Sequence, residues 1–455
     1  MTNVLFITAH DAGRAASVYG GSTATPNLAS FASSAVTFTA AHAVAPTCSP
    51  SRTAMMTGLY PHESGMVGLA HLGFPLARPD RHLARRFSEA GYRTLLSGIQ
   101  HEAMDARDLG YQETLGADPE AVFRAGFEPA PWDEENAAAC AAFLDQSHDR
   151  PFFLAFGTFE PHRPFPDVPL SENELAVDSP VGLPDSPLVR EDAARFRRGL
   201  GNMDRQIGRV LAALDASEHR DRTIVVVTTD HGIDFPRYKA TPTDAGLGAM
   251  LMVRVPGCEP RTCHDLVSLI DLYPTLLHLA GVAAEPGDQT PLPEDSWTAR
   301  PIHALCPDAA DARRRDYVFS ETNYHVAYEP TRTVRGARFR LIRRYHDHAQ
   351  VAPNIGDSPS KDIVLRLAPP IAPQHGRESI HDGDYDPLNT VDVSAGLGAD
   401  LRDGLRLALE QWMEGTGDPM VSGDVPAPAG AAVAPADAYT SHAADALMGS
   451  GESGA

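Results

Sequence analysis

The sequence predicts an α/β protein with a mostly parallel, doubly wound sheet, followed by a smaller α+β subdomain. Three observations predict it. Short apolar, β-branched runs alternate with helix-period segments, as they do where helices cover both faces of a sheet. The 455-residue length exceeds what one small core needs and suits a large α/β domain with an appendage. The hydrophobic content of 43% is that of a globular protein, and no run approaches the roughly 18 apolar residues of a membrane span.

In chain order, VLFITA (4–9) is the first strand, a continuous apolar run that stops at His10. No basic n-region or small-residue cleavage site accompanies it, so a core strand is expected and not a leader. ATPNLASFA follows as a helix with a Thr/Pro start near Thr25, and CSPSR (48–52) leads into the helix-compatible run TAMMTG. YRTLLSG (92–98), PFFLAFGTF (151–159), TIVVVTTD (223–230) and LMVRVPG (251–257) read as buried strands, and 191–216 reads as a long helix. These elements place the main α/β domain at 1–300. The subdomain, 301–420, holds two strand candidates, DYVFSETN (316–323) and RFRLIRRY (338–345), and a helix over 398–415. Residues 421–455 are rich in Ala, Pro, Gly and Ser and are expected to be disordered, because they carry too little apolar surface to order themselves.

Composition narrows the function. Five scattered cysteines, Cys48, Cys140, Cys258, Cys263 and Cys306, lack zinc spacing and indicate no disulfide framework, which makes the cytoplasm the expected compartment. A formal charge of −22 disfavours nucleic acid and anionic membranes as partners, and an anionic substrate would need a locally positive pocket. Lysine occurs only at Lys239 and Lys361. The oligomeric state is left open, a homo-oligomer included.

Candidate chemistry gathers at strand ends, where sites of doubly wound sheets lie. VLFITA runs into His10-Asp11, and TIVVVTT runs into Asp230-His231-Gly232. His101 follows YRTLLSG, and His162 follows PFFLAFGTF. Carboxylates with imidazoles and no thiolate quartet suit one divalent ion with oxygen-rich coordination.

CSPSR followed by TAMMTG resembles the type I sulfatase signature C-x-P-S-R-x-x-x-x-T-G, whose cysteine is converted enzymatically to formylglycine. GYRTLLSGIQHE, PFFLAFGTFEPHRPF, TTDHG and FPRYKATPTDAGLGAML follow the same family in order, and the similarity spans about residues 1–415. FEPHRPF, TTDHGIDFPR, PTRTVRGARFRLIRRY and QWMEGTGDPMV look like segments of the heparan N-sulfatases and their bacterial homologues.

The resemblance implies an alkaline-phosphatase-like sandwich and hydrolysis of a sulfate ester or sulfamate on a small anionic substrate, expected to be a sugar. Cys48 is then the precursor of the nucleophile, matured by a formylglycine-generating enzyme. Asp11, Asp230, His231 and His10, with residue 48, would hold the cation. Arg52 would orient the nucleophile, His101 would take a proton, and His162 with Lys239 would bind sulfate or protonate the leaving group. Arg163 and Arg237 flank motif residues and are candidates to meet an anionic sugar. Glu321, Tyr324 and His325, in SETNYHVAYEP, are candidate substrate contacts from the subdomain.

Three positions depart from the family pattern. His10 stands where most members have an aspartate, His231 where many have Asn, and Ile99-Gln100 replaces a Lys-containing pair. Calcium is the cation that the family implies, and manganese is the alternative that the imidazoles raise. A phosphonate monoester or phosphodiester hydrolase of the same superfamily, and a catalytically inactive binding homologue, are the rival readings.

Overall fold

The computed structural model describes residues 2–124, 126–283, 297–309, 311–346, 350–367 and 377–445. Strands β1 (Asn3–Ala9), β2 (Val36–His42), β3 (Arg93–Gly98), β4 (Glu113–Leu115), β5 (Phe152–Gly157), β6 (Thr223–Thr229), β7 (Leu251–Arg254) and β8 (Arg261–Ser268) form one sheet. Its order is β4-β3-β5-β1-β6-β7-β2-β8. All neighbours run parallel except around β7, which is antiparallel to both β6 and β2. The expected LMVR strand is thus present but reversed.

Alternation along the central strands builds a sandwich. On β1, Val4 and Phe6 join one core with Phe87 and Leu276, while Leu5 and Ile7 join the other with Phe143, Met203 and Ile207. The long Pro187–Ala216 helix covers the second face beside the Pro129–Leu144 helix. Sequence reading passed over β2, VTFTAAH, whose threonines and alanines dilute the strand signal, and β8, an edge strand buried mainly in its last residues.

The second sheet is antiparallel, in the order β12-β11-β10-β9, from β9 (Val318–Tyr324), β10 (Tyr328–Arg335), β11 (Phe339–Arg344) and β12 (Glu378–Asp382). The Ala399–Gly415 helix supplies Leu405, Leu409 and the fully buried Trp412 to a third core with Phe319, Val334 and Leu341. β9 docks on the main domain: the Glu321 N–H donates to the Val44 carbonyl (2.8 Å), and the Ser320 hydroxyl donates to the Ala43 carbonyl (2.7 Å).

The expectation of a disordered tail is corrected for residues 421–445. Val425, Ala432, Ala434 and Ala444 are buried. Main-chain bonds hold the segment: Ala432 N–H to the Leu72 carbonyl (2.8 Å), and Ala434 N–H to the Val326 carbonyl (2.9 Å). Lys361 Nζ donates to the Tyr439 carbonyl (2.6 Å), and Asp357 accepts from the Ser441 N–H (3.1 Å). Composition counts the apolar surface that a segment brings. It misses the surface and the hydrogen-bond partners that the folded body offers. Residues 446–455 lie outside the described residues.

Candidate active site

Most residues of the CSPSR segment have a structural reason. The helix Cys48–Thr57 is buried at every position, and Cys48 is its first residue. The Ser49 hydroxyl accepts from the Ala70 N–H (3.1 Å), the Ser51 hydroxyl donates to the Asp230 carbonyl (2.6 Å), and Arg52 Nε donates to Asp230 Oδ2 (3.0 Å). One helical turn therefore locks the end of β6 and the loop before Leu72 around residue 48. Gly58 ends the helix at φ 69°, the left-handed conformation that glycine adopts without penalty.

The ends of β1 and β6 meet there. Asp230 Oδ1 accepts the N–H groups of Asp11 and His231, both at 2.9 Å. Asp11 itself has a left-handed φ of 56°, as does His101 at 61°. Such strain in non-glycine residues persists where surrounding structure imposes it, and functional sites are where it collects. Lys239 Nζ donates to Asp11 Oδ2 at 2.7 Å. The Cys48 sulfur lies 3.1 Å from His10 Nε2 and 3.4 Å from His231 Nε2.

Burial dominates the electrostatics. It pushes Asp11 up to about 6 against the pull of Lys239 and His231. Asp230 is equally buried, but His231 and Arg52 overcome that effect and hold it down at about 2. Burial lowers His10 and His101 well below the ordinary imidazole range, and burial with the Lys239 charge takes His162 to about 3. It also pushes the Cys48 thiol far up, so the unmodified side chain stays protonated. Lys239 keeps its proton: burial works against the ammonium, and the Asp11 and Asp234 carboxylates outweigh it.

The donor set fits a divalent cation. Ligand atoms of Asp11, Cys48, Asp230 and His231 lie within 4.8 Å of one another, and His10, Asp11, Cys48 and His162 form an overlapping group. Asp11 Oδ1 and His10 Nδ1 are buried without a hydrogen-bond partner. His231 Nδ1 faces the Gly232 carbonyl at 3.0 Å and must donate to it, which turns Nε2 toward Asp11 Oδ1 at 3.3 Å and the Cys48 sulfur at 3.4 Å. His162 Nδ1 is likewise held by the Arg163 carbonyl, leaving its Nε2 3.7 Å from Asp11 Oδ2. An orphaned carboxylate oxygen beside inward-turned imidazole nitrogens is what an oxygen- and nitrogen-binding ion would satisfy.

A cavity of about 810 Å³ leads to this cluster, with His10, Cys48, His101, His162, Lys239 and His325 in its wall. The structure thus brings nearly all the motif residues together. Arg163 also lines the cavity, but its guanidinium is forked onto Asp192 by two 2.8 Å bonds. Glu321, Tyr324 and Arg237 do not line it. Glu321 accepts from His62 and lies 3.4 Å from Arg332, and the Tyr324 hydroxyl donates to the Val425 carbonyl at 2.7 Å, so both are occupied in joining segments of the fold. Arg237 sits at φ 73° in the turn that returns the chain to Lys239, where its carbonyl accepts from Thr241.

Other wall residues escaped sequence reading. Asp234 is buried in the wall, and its signal was present: an acid four residues after Asp230, in TTDHGIDFPR. His71, whose Nδ1 lies 2.9 Å from His101 Nε2, gave none, because a lone histidine in a loop has no spacing to betray it. The tail residues Ser441, His442 and Asp445 also reach the wall.

A family model described as Sulfatase matches residues 2–282. The chain therefore belongs to the sulfatase family, hydrolases of sulfuric esters or sulfamates. Human N-sulphoglucosamine sulphohydrolase is 27% identical over 92% of this chain and 91% of its own length. The fold is also that of a solved 2-O GAG sulfatase, at a TM-score of 0.68 and 19% identity over 98% of this chain and 99% of that one. A further neighbour, solved with D-glucosamine-2-N,6-O-disulfate as its substrate, has a TM-score of 0.65 and 17% identity, covering 92% of this chain and 98% of that one.

Proposed function

We propose that the protein removes a sulfate or sulfamate group from a small sugar of the N-sulfoglucosamine type, with residue 48 as a formylglycine nucleophile and one divalent cation beside it. The observation that carries this is the position of Cys48. It opens a buried helix at the cavity's end, in contact with imidazoles from two different strand ends.

As a hydrated aldehyde, residue 48 would supply one hydroxyl to attack sulfur and a second whose deprotonation expels sulfate. A cation held by Asp11, Asp230, His231, residue 48 and His10 would supply Lewis-acid stabilisation of the charge that develops on oxygen. Calcium suits the carboxylates, and the imidazoles shift the site toward manganese.

The chain's own groups divide the remaining work. Arg52 holds Asp230, which through two backbone N–H groups fixes the strand ends that carry Asp11 and His231. His101 Nδ1 is buried without a partner while Nε2 is engaged by His71, so Nδ1 is the atom free to take a proton from residue 48. Lys239 places a compact ammonium next to Asp11, where a transferred sulfate and its leaving atom gather negative charge. His162, with Nδ1 held by a carbonyl, offers Nε2 as an acceptor or ligand.

A mass spectrum of the peptide spanning Cys48, from a host that contains the maturation enzyme, tests the nucleophile. The aldehyde is expected, and an unmodified thiol in such material would support an inactive binding protein. The imidazole content favours one rival, phosphonate or phosphodiester hydrolysis. Parallel assays of an aryl sulfate and a phenyl phosphonate ester decide it, with the sulfate expected to be the faster substrate.

A further inference from the structure

The cavity beyond residue 48 has an unusual charge inventory for a site that must admit an anion. Its cationic side chains, among the described residues, are Lys239, Arg163 and Arg124. Each is already matched. Lys239 sits on Asp11, at the position of the transferred group (2.7 Å). Arg163 is forked onto Asp192 and lies 3.5 Å from Asp234, with its face on the Phe165 ring at 3.9 Å. Arg124 pairs with Asp118 at 2.7 Å.

The acids that face the same space are Asp234, Asp357 and Asp445. Asp234 is buried and ionised: burial favours its neutral form, but Lys239 and Arg163 hold it down at about 2. Asp357 accepts from the Ser441 N–H and from Lys361, and Asp445 lies 2.8 Å from His442 Nδ1 and 3.8 Å from His71 Nε2. Burial keeps His71 and His325 below the ordinary imidazole range, so they add little positive charge at neutral pH. Apolar side chains line much of the rest of the wall, with Leu69, Leu72, Val122, Phe123, Phe127 and Phe159. Phe123 is 49% exposed.

We propose that this cavity selects a substrate whose only anionic group is the one transferred, with the remainder uncharged or amine-bearing and one apolar face packed on Phe123 and Phe127. The inference rests on the sulfatase reading and narrows its substrate class. A second sulfate or a carboxylate would give up part of its hydration with no unmatched cation among the described residues to receive it, and with the buried Asp234 carboxylate in the same wall. An uncharged sugar face or an aromatic ring meets no such cost and covers the exposed rings. The C-terminal segment, which brings Ser441, His442 and Asp445 to the wall, also encloses the space on that side and suits a small molecule.

Two measurements on full-length protein test this with one pair of probes, glucosamine N-sulfate and glucosamine N,6-O-disulfate. Calorimetric binding to Cys48→Ala protein reads selectivity without chemistry. Matured protein then gives kcat/KM for the same pair. At least tenfold weaker binding and tenfold lower kcat/KM are expected for the disulfate, and Asp445→Lys should narrow both ratios. Equal or tighter binding of the disulfate, or binding of neither sugar, overturns the inference and leaves the nucleophile untouched. Selective binding of the monosulfate with no turnover, in protein carrying the aldehyde, supports the inference and defeats the sulfatase chemistry.

Discussion

Two buried clusters in this protein look alike in composition and behave differently. One joins Asp11, Asp230, His231 and Cys48, and the other joins His62, Glu321 and Asp418; both have ligand atoms close enough to share an ion. In the second, every carboxylate oxygen is occupied. Glu321 accepts from the His62 N–H and from His62 Nδ1, both at 2.8 Å, while Asp418 takes Arg332 on both oxygens and the Met420 N–H at 3.0 Å. In the first, Asp11 Oδ1 has no hydrogen-bond partner and the cavity reaches Cys48. The difference is saturation: a network whose acids are fully satisfied ties segments together, and one with unmet acceptors next to a cavity is ready for a ligand.

The largest expected effect separates the clusters by chemistry. Cys48→Ala should lower kcat by at least about 10³-fold, since no other group there can replace the nucleophile, with an unchanged circular dichroism spectrum. Near-normal turnover would remove residue 48 from the mechanism. Glu321→Gln, measured in parallel on protein that has folded, should keep kcat/KM within a few-fold, because Glu321 does not line the cavity.

Cation binding gives the next contrast. Chelation should abolish activity, manganese should restore it at least as well as calcium, and either ion should raise the melting temperature of the native chain. Asp11→Asn should lose that thermal shift and at least about 10–100-fold in activity, the range that even an outer-sphere partner of a metal controls. Asp418→Asn should keep the shift. A shift that survives Asp11→Asn and disappears in Asp418→Asn would move the ion to the other cluster.

How far the sequence reveals these two clusters depends on what each residue's neighbours in the chain disclose. Asp11, Asp230 and His231 were legible because they follow continuous apolar strands, and strand ends converge in a doubly wound sheet. Cys48 was legible because its neighbours carry a signature, and Ser51, Arg52 and Gly58 prove to hold the geometry around it. Glu321 was misassigned for a physical reason: a polar residue in a strand looks the same whether it meets substrate or a buried arginine from β10. His71 and the 421–445 segment were missed because their roles are set wholly by partners distant in sequence, and a Pro/Ala-rich composition conceals docking through main-chain bonds.

Stability should reverse the ranking of the clusters. Glu321→Gln leaves Arg332 and His62 facing one charge fewer in a fully buried place, a loss of about 3–5 kcal/mol for a broken buried pair. Denaturant midpoints should therefore fall more for Glu321→Gln than for Cys48→Ala. A smaller loss for Glu321→Gln would mean that its network adds little to the joint between β9 and the main domain.

The smallest effect is a pH dependence that arises within the His62–Glu321–Asp418 cluster. Burial works against a charged His62, but Glu321 outweighs it and raises the imidazole above its ordinary 6.5. A group whose folded pKa is raised stabilises the fold fully below its unfolded pKa and loses that contribution as pH rises through the folded value. Glu321 acts in the opposite sense: its folded pKa lies below the ordinary 4.5, so its share is present above 4.5 and lost as pH falls below it. Both contributions are therefore complete between about pH 4.5 and 6.5. The uncharged His62→Gln variant can still donate to Glu321, so comparing it with the native chain isolates the charge. The stability difference should be greatest inside that window and shrink above it by at most about 1.4 kcal/mol per pH unit. Urea midpoints at half-unit steps from pH 5 to about 9 read the slope directly, and a difference that stays flat across that range would show that folding leaves the His62 pKa unshifted.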